Sequence, residues 1–133
     1  MNKENLYIPL VLEHDKIMTE VVEIYEKKWL WSEYFNNNND IHLEIWTWFW
    51  HFFARESWEN LDKNFIWMEI KYKRLYKTAQ KTIDSWNNNF MLLKDLWQNI
   101  DKIFNENEIS KTYVFFPDPW DNKDRKKKHK LFQ

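Results

Sequence analysis

Four carboxylates recur at matching places along this chain. Glu44, Glu69, Asp95 and Asp118 lie in IHLEI, NFIWMEI, NFMLLKD and TYVFFPD, each at or near the end of a short apolar run. Taken singly, such a residue commonly caps a helix or meets solvent. Four at equivalent ends can accept hydrogen bonds from one ligand lying across several chain segments. The acid just after a second strand is the usual acceptor for the ribose hydroxyls of a nucleoside, so Glu69 is the most readable of the set.

A second group is cationic. Asp121 to Gln133 holds six Lys or Arg against two Asp, in a chain whose formal net charge is −1, so a basic tail follows a mildly acidic body. A run of this kind is either a solvated terminus or a surface for phosphates. Other chemistries are poorly supplied. There is no cysteine, and His14, His42, His51 and His129 are scattered, so neither a disulfide framework nor a metal site is expected. No run approaches the length of a membrane span, and MNKENLYIPL lacks the ordered regions of a secretory signal. A cytoplasmic protein without membrane attachment is the expectation.

The elements that must hold these groups follow from periodicity. Residues 1–40 read as an N-terminal extension containing an amphipathic helix over 15–28, with Ile17, Val21, Ile24 and Tyr25 on one side, and closing in the loop NNNND. From residue 41 apolar runs alternate with helical stretches. The helix over 72–85 places Tyr72, Leu75, Tyr76, Ala79 and Ile83 inward and Lys73, Arg74, Lys77 and Lys81 toward water, and a later helix turns Leu96, Ile100, Ile103 and Phe104 inward. Four strands joined by helical crossovers predict an α/β fold over 41–133, with a parallel sheet covered on both faces. In such sheets a ligand sits beyond the carboxyl ends of the strands, where the four acids fall.

One compositional fact resists this pattern. The chain has ten tryptophans and no glycine, although average usage of about 7% predicts roughly nine glycines. Tight turns and close backbone approaches need a residue that tolerates positive φ or has no side chain.

The most specific segment is VFFPDPWDNKDRKKKHKLFQ, Val114 to Gln133. An apolar strand ending in Phe-Pro-Asp-Pro-Trp before a basic run resembles the signature of the bacterial tRNA (guanine(46)-N7)-methyltransferases, class I enzymes that use S-adenosylmethionine. The prolines on either side of Asp118 restrict the backbone and fix the angle at which its carboxylate is presented. The resemblance extends back to about Ile41. The family's first motif has the form Glu-Ile-Gly-x-Gly-x-Gly, where this chain has Glu44, Ile45, Trp46, Thr47, Trp48, Phe49 and Trp50, and Ile66 to Ile70 resembles Ile-Gly-Met-Glu-Ile. Tryptophan thus stands at each glycine of both motifs. Trp29, Trp31, Trp58, Trp86 and Trp97 also fall at loop or element-end positions, whereas Trp120 belongs to the family motif. The simplest reading is that nine tryptophans stand for glycine, through UGA codons read as glycine at source and as tryptophan in this translation.

The resemblance implies a Rossmann-like class I methyltransferase fold, cut after its fourth parallel strand because the family continues with further strands. That places the fourth strand at an open edge. It also implies S-adenosylmethionine as cofactor, with Glu44, the turn at Trp46 and Trp48, Glu69, Asp95 and Asp118 at its site, Glu69 at the ribose and Asp95 near the adenine. tRNA is the implied partner. Asp118 would be the catalytic residue that orients a variable-loop guanine, and Lys123, Arg125, Lys127 and Lys128 would hold the RNA. The basic tail keeps the family's charge but not its spacing. With indoles at 46, 48 and 50 the chain as written is expected not to bind the cofactor. The alternative is a noncatalytic single-stranded nucleic-acid binder that uses tryptophans as stacking platforms beside a basic tail.

Overall fold

The computed structural model describes residues 3–45, 50–83 and 87–114. Among them five strands form one parallel sheet in the order β1-β4-β3-β2-β5, namely β1 (Ile17–Met18), β2 (Ile41–Ile45), β3 (Asn64–Glu69), β4 (Phe90–Lys94) and β5 (Lys111–Val114). The four predicted strands are present, with the residues beyond Val114 outside the description. β5 pairs with β2 and stands at the edge of the described sheet. The central strands are mainly apolar because both faces are covered: all of Asn64–Glu69 is buried, as are the first four residues of β4.

One face of the sheet carries α1 (Ile8–Leu12), α4 (Trp50–Glu59) and α5 (Tyr72–Ile83), packed through Phe53, Phe65, Trp67, Leu75, Ala79 and Phe90. The other carries α2 (Val21–Glu26), α3 (Trp31–Phe35) and α6 (Ile100–Ile103), packed through Ile24, Trp31, Leu43, Ile66, Met91 and Ile103. The α/β arrangement is thus the one expected of a Rossmann-like sheet.

The N-terminal forty residues depart from the periodic reading. Instead of one helix over 15–28, Ile17–Met18 extend the sheet beside Leu92 and Leu93, and the helix is confined to Val21–Glu26. Ile17 and Ile24 lie on opposite faces of the sheet, in the two different cores. In α5 the inner stripe is Leu75, Thr78, Ala79 and Thr82, with Thr82 Oγ1 donating to the Thr78 carbonyl at 2.7 Å, while Ile83 is exposed. The stretch after Asp95 is a short 3-10 turn and α6, which leaves Leu96 exposed while Ile103 and Phe104 are buried.

The asparagine-rich loop is built rather than featureless. Asn36 ends α3 in the left-handed region at φ 59°. Asn37 and Asn64 exchange amide hydrogen bonds at 2.7 and 3.3 Å, which ties the loop to the start of β3.

Two tryptophans that look alike in the sequence sit in opposite environments. Trp29 is 70% exposed at φ 75°, a region in which a bulky side chain is an outlier. Trp31 is wholly buried; its indole N–H donates to the Ile103 carbonyl at 2.9 Å, and its ring lies 5.5 Å from that of Phe104. Trp31 therefore fills a core position as an indole, unlike the exposed, positive-φ Trp29, and does not belong with the glycine-like positions. Trp67 is also buried, but its indole N–H has no hydrogen-bond partner.

Candidate functional site

The carboxyl ends of β3 and β4 open into a pocket of about 180 Å³ lined by Ile45, Met68, Glu69, Asp95 and Trp97 among others. Register brings its acids together. Glu69 is opposite Lys94, and Asp95 follows Lys94 directly. The pocket is smaller than the roughly 300–1,000 Å³ of ordinary ligand pockets. The adjoining turn, residues 46–49, lies outside the described residues.

Glu69 closes an apolar strand and is 2% exposed. Burial raises its carboxyl above the ordinary glutamate range, and three charged or polar neighbours oppose that rise. Ile70 N–H donates to Oε2 at 2.8 Å, Arg74 Nη1 meets Oε1 at 3.0 Å, and Lys71 adds a favourable charge. Arg74 reaches back because it lies five residues on, one turn into α5.

Asp95 is held differently. Its Oδ1 accepts from Leu96 N–H at 2.7 Å and Asn99 Nδ2 at 2.8 Å, while Oδ2 is buried with no hydrogen-bond partner. The Tyr25 hydroxyl on α2 approaches this carboxylate, and its pKa is raised by burial, then by the Asp95 charge and a side-chain interaction with Asp95, a contact that falls short of hydrogen-bond geometry at Oδ2. A buried acceptor left open costs about 1–3 kcal/mol, and a ligand N–H would recover it. Asp95 thus presents an open acceptor to the pocket, and Glu69 a carboxylate held in place by Ile70 N–H and Arg74.

Glu44 is 3% exposed, lies beside Trp67 in the register of β2 and β3, and is not among the described residues that line this pocket. Trp46, Trp48, Asp118, Lys123, Arg125, Lys127 and Lys128 lie outside the described residues. Two residues of the site were not legible in the sequence. Tyr25 arrives from the N-terminal extension, and Trp97 enters the wall through the 3-10 turn after Asp95. No spacing rule links Tyr25 to a position seventy residues away. Among the described residues no cluster of His, Cys, Asp and Glu could hold a metal, and no helix is long and apolar enough to cross a membrane.

A family model described as "Putative methyltransferase" matches residues 38–133, well over half of the chain. The chain belongs to this methyltransferase family. Within it, the protein is 35% identical over 122 residues to a bifunctional glycosyltransferase/methyltransferase of Fusobacterium nucleatum, covering 91% of this chain and 19% of that protein. It is 35% identical to a tRNA (guanine-N(7)-)-methyltransferase of Clostridium novyi, covering 90% of this chain and 56% of the relative. A protein of the same description from Streptococcus agalactiae is 31% identical over 81% of the chain and 51% of its own length. This methyltransferase-family chain thus spans about half the length of the tRNA-modifying relatives it matches.

Proposed function

We propose that the chain carries the methyl-donor site of a tRNA (guanine-N7)-methyltransferase, with S-adenosylmethionine as cofactor and a variable-loop guanosine of tRNA as acceptor. The observation that carries the reading is the pairing of Glu69 and Asp95 in one pocket at adjacent strand ends. The names of the relatives support the acceptor.

In this reading Glu69 accepts from the ribose hydroxyls, its geometry held beforehand by Arg74 and the Ile70 amide. Asp95 Oδ2 accepts from the adenine amino group. Ile45 and Met68 exclude water from the face of the base. Bound S-adenosylmethionine would supply an electrophilic sulfonium methyl. Guanine N7 carries an exposed lone pair, so the protein need not remove a proton and acts chiefly by positioning. Asp118 is assigned to orienting the guanine, and Lys123, Arg125, Lys127 and Lys128 to the tRNA phosphates, on the resemblance of their segment to the family signature.

Calorimetry with S-adenosylmethionine tests the donor site. The chain as written should bind weakly or not at all, and the Trp46→Gly, Trp48→Gly, Trp50→Gly variant should bind. A glycine variant that still fails to bind, or one that binds equally well with Glu69→Gln added, would sink the assignment. Transfer of labelled methyl from S-adenosylmethionine to tRNA tests the acceptor.

The stacking alternative loses two of its platforms, because Trp31 and Trp67 are buried and offer no face to a base.

A further inference from the structure

Helix α5 is charged against its own stability. Between Ile70 and Ile83 there are five Lys or Arg and no Asp or Glu, in a chain whose overall charge is near neutral. Lys71 precedes the helix and Lys73 lies in its first turn, which contains no Asp or Glu of its own. The positive end of the helix dipole disfavours cations at that end. Lys73, Lys77 and Lys81 then recur every four residues and are all exposed. That spacing is about 6 Å along the axis, and like charges so placed cost a few tenths of a kcal/mol per pair. The opposite stripe, Leu75, Thr78, Ala79 and Thr82, faces the core, and the lysines stay on the outer side, Lys81 with its ammonium 5.9 Å over the Trp58 ring of α4.

This stripe also has a direction. It starts beside the pocket, where Arg74 is engaged by Glu69 and Lys94 Nζ lies 4.9 Å over the Tyr72 ring, and runs away from it along the exposed side of α5. A surface with one sign of charge, leading from a nucleoside pocket, complements a polyphosphate backbone. A membrane surface would need apolar anchors alongside the cations, and α5 exposes only Ile83 as a large apolar side chain.

We infer that the exposed lysine stripe of α5, Lys73, Lys77 and Lys81, is a phosphate-backbone contact for RNA, separate from the basic tail and leading to the pocket. The inference rests on the tRNA reading above. It adds a docking face that fixes the direction in which the RNA crosses the domain.

The test uses the full chain, bulk bacterial tRNA, and a salt series. Replacing Lys73, Lys77 and Lys81 together by Gln should weaken binding at least about tenfold at moderate salt. It should also lower the slope of log affinity against log salt by about 2 to 3, since each lost contact is worth about 0.7–0.9. The triple Arg variant should keep both affinity and slope. A Gln pair at Lys27 and Lys28, in the layer on the other side of the sheet, should change affinity less than twofold. Binding of tRNA by the parent chain with an unchanged slope in the triple Gln variant overturns the stripe and leaves the tRNA reading standing. A parent chain that binds no tRNA overturns both. An equal loss of heparin binding would assign the stripe to polyanions in general and overturn the RNA assignment.

Discussion

Arg74 Nη1 lies 3.0 Å from Glu69 Oε1, and the two side chains differ sharply in exposure, 31% for the arginine and 0% for the carboxylate. The arginine is therefore the bridge between a fully buried charge and water. Arg74→Gln should cost about 1.5–3 kcal/mol, the usual worth of a hydrogen bond to a charged group, measured by urea denaturation. In the glycine-restored chain it should also raise the dissociation constant for S-adenosylmethionine severalfold, with Arg74→Lys intermediate. Equal stability and affinity in Arg74→Gln would show that the pair does not position Glu69.

The same carboxylate sets a pH dependence. Burial raises the folded-state pKa of Glu69 above its unfolded value, so between the two values the folded chain holds more protons than the unfolded one. Stability from this group consequently falls as pH rises through that window, just above the ordinary glutamate range, and is recovered on acidification. Glu69→Gln removes the titration. Subtracting its melting temperatures from those of the parent across that window should leave a difference that becomes less favourable to the parent as pH increases. A flat difference would contradict the buried-carboxylate account.

Trp29 and Trp31 make opposite forecasts under one substitution. Trp29 holds φ 75° with its ring in solvent, so Trp29→Gly should relieve about 1–2 kcal/mol of left-handed strain while keeping the hydrogen bond that the backbone N–H of residue 29 donates to Glu108 Oε1 at 2.8 Å. Trp31→Gly should lose about 3–5 kcal/mol by emptying a core position and orphaning the Ile103 carbonyl. Thermal melts of the two variants decide the matter. Codons follow the same division: Trp31 should be UGG along with Trp120, and Trp29 should be UGA. A UGG codon at position 29 would remove the miscoded-glycine explanation there.

Asp95 offers Oδ2 as an open acceptor while Oδ1 is occupied by Leu96 N–H and Asn99. Asp95→Asn puts an amide in place of the carboxylate and weakens its acceptance of an amino group. Affinity for S-adenosylmethionine in the glycine-restored chain should drop about tenfold, the equivalent of one hydrogen bond of about 1.4 kcal/mol. Loss of the same size in Tyr25→Phe would place the phenol in the site as well, whereas an unaltered Asp95→Asn affinity would exclude the adenine role.

Much of the strand framework was written in local pattern. The runs at 41–45, 64–69 and 90–94 are apolar because both sides of a central parallel strand are covered, and such runs need no long-range information to be recognised. Glu69 and Asp95 could be named because they end those runs. The two-residue strand Ile17–Met18 could not, since two residues carry no period and their apolar character fitted a helical stripe equally well. In α5, Thr82 took an inner place that hydropathy assigns to Ile83, its hydroxyl satisfied on the preceding turn, and Thr78 is buried beside it.

The sequence by itself determined the alternation of strands and helices, the acids at the strand ends and the surplus of tryptophan over glycine, because each of these is a property of neighbours along the chain. Only the tertiary structure decided which tryptophan fills a core and which stands at a strained turn. It alone brought Tyr25 to Asp95 and joined Arg74 to Glu69. The reason is that burial, φ and the closure of a hydrogen bond depend on what segments distant in sequence place around each residue.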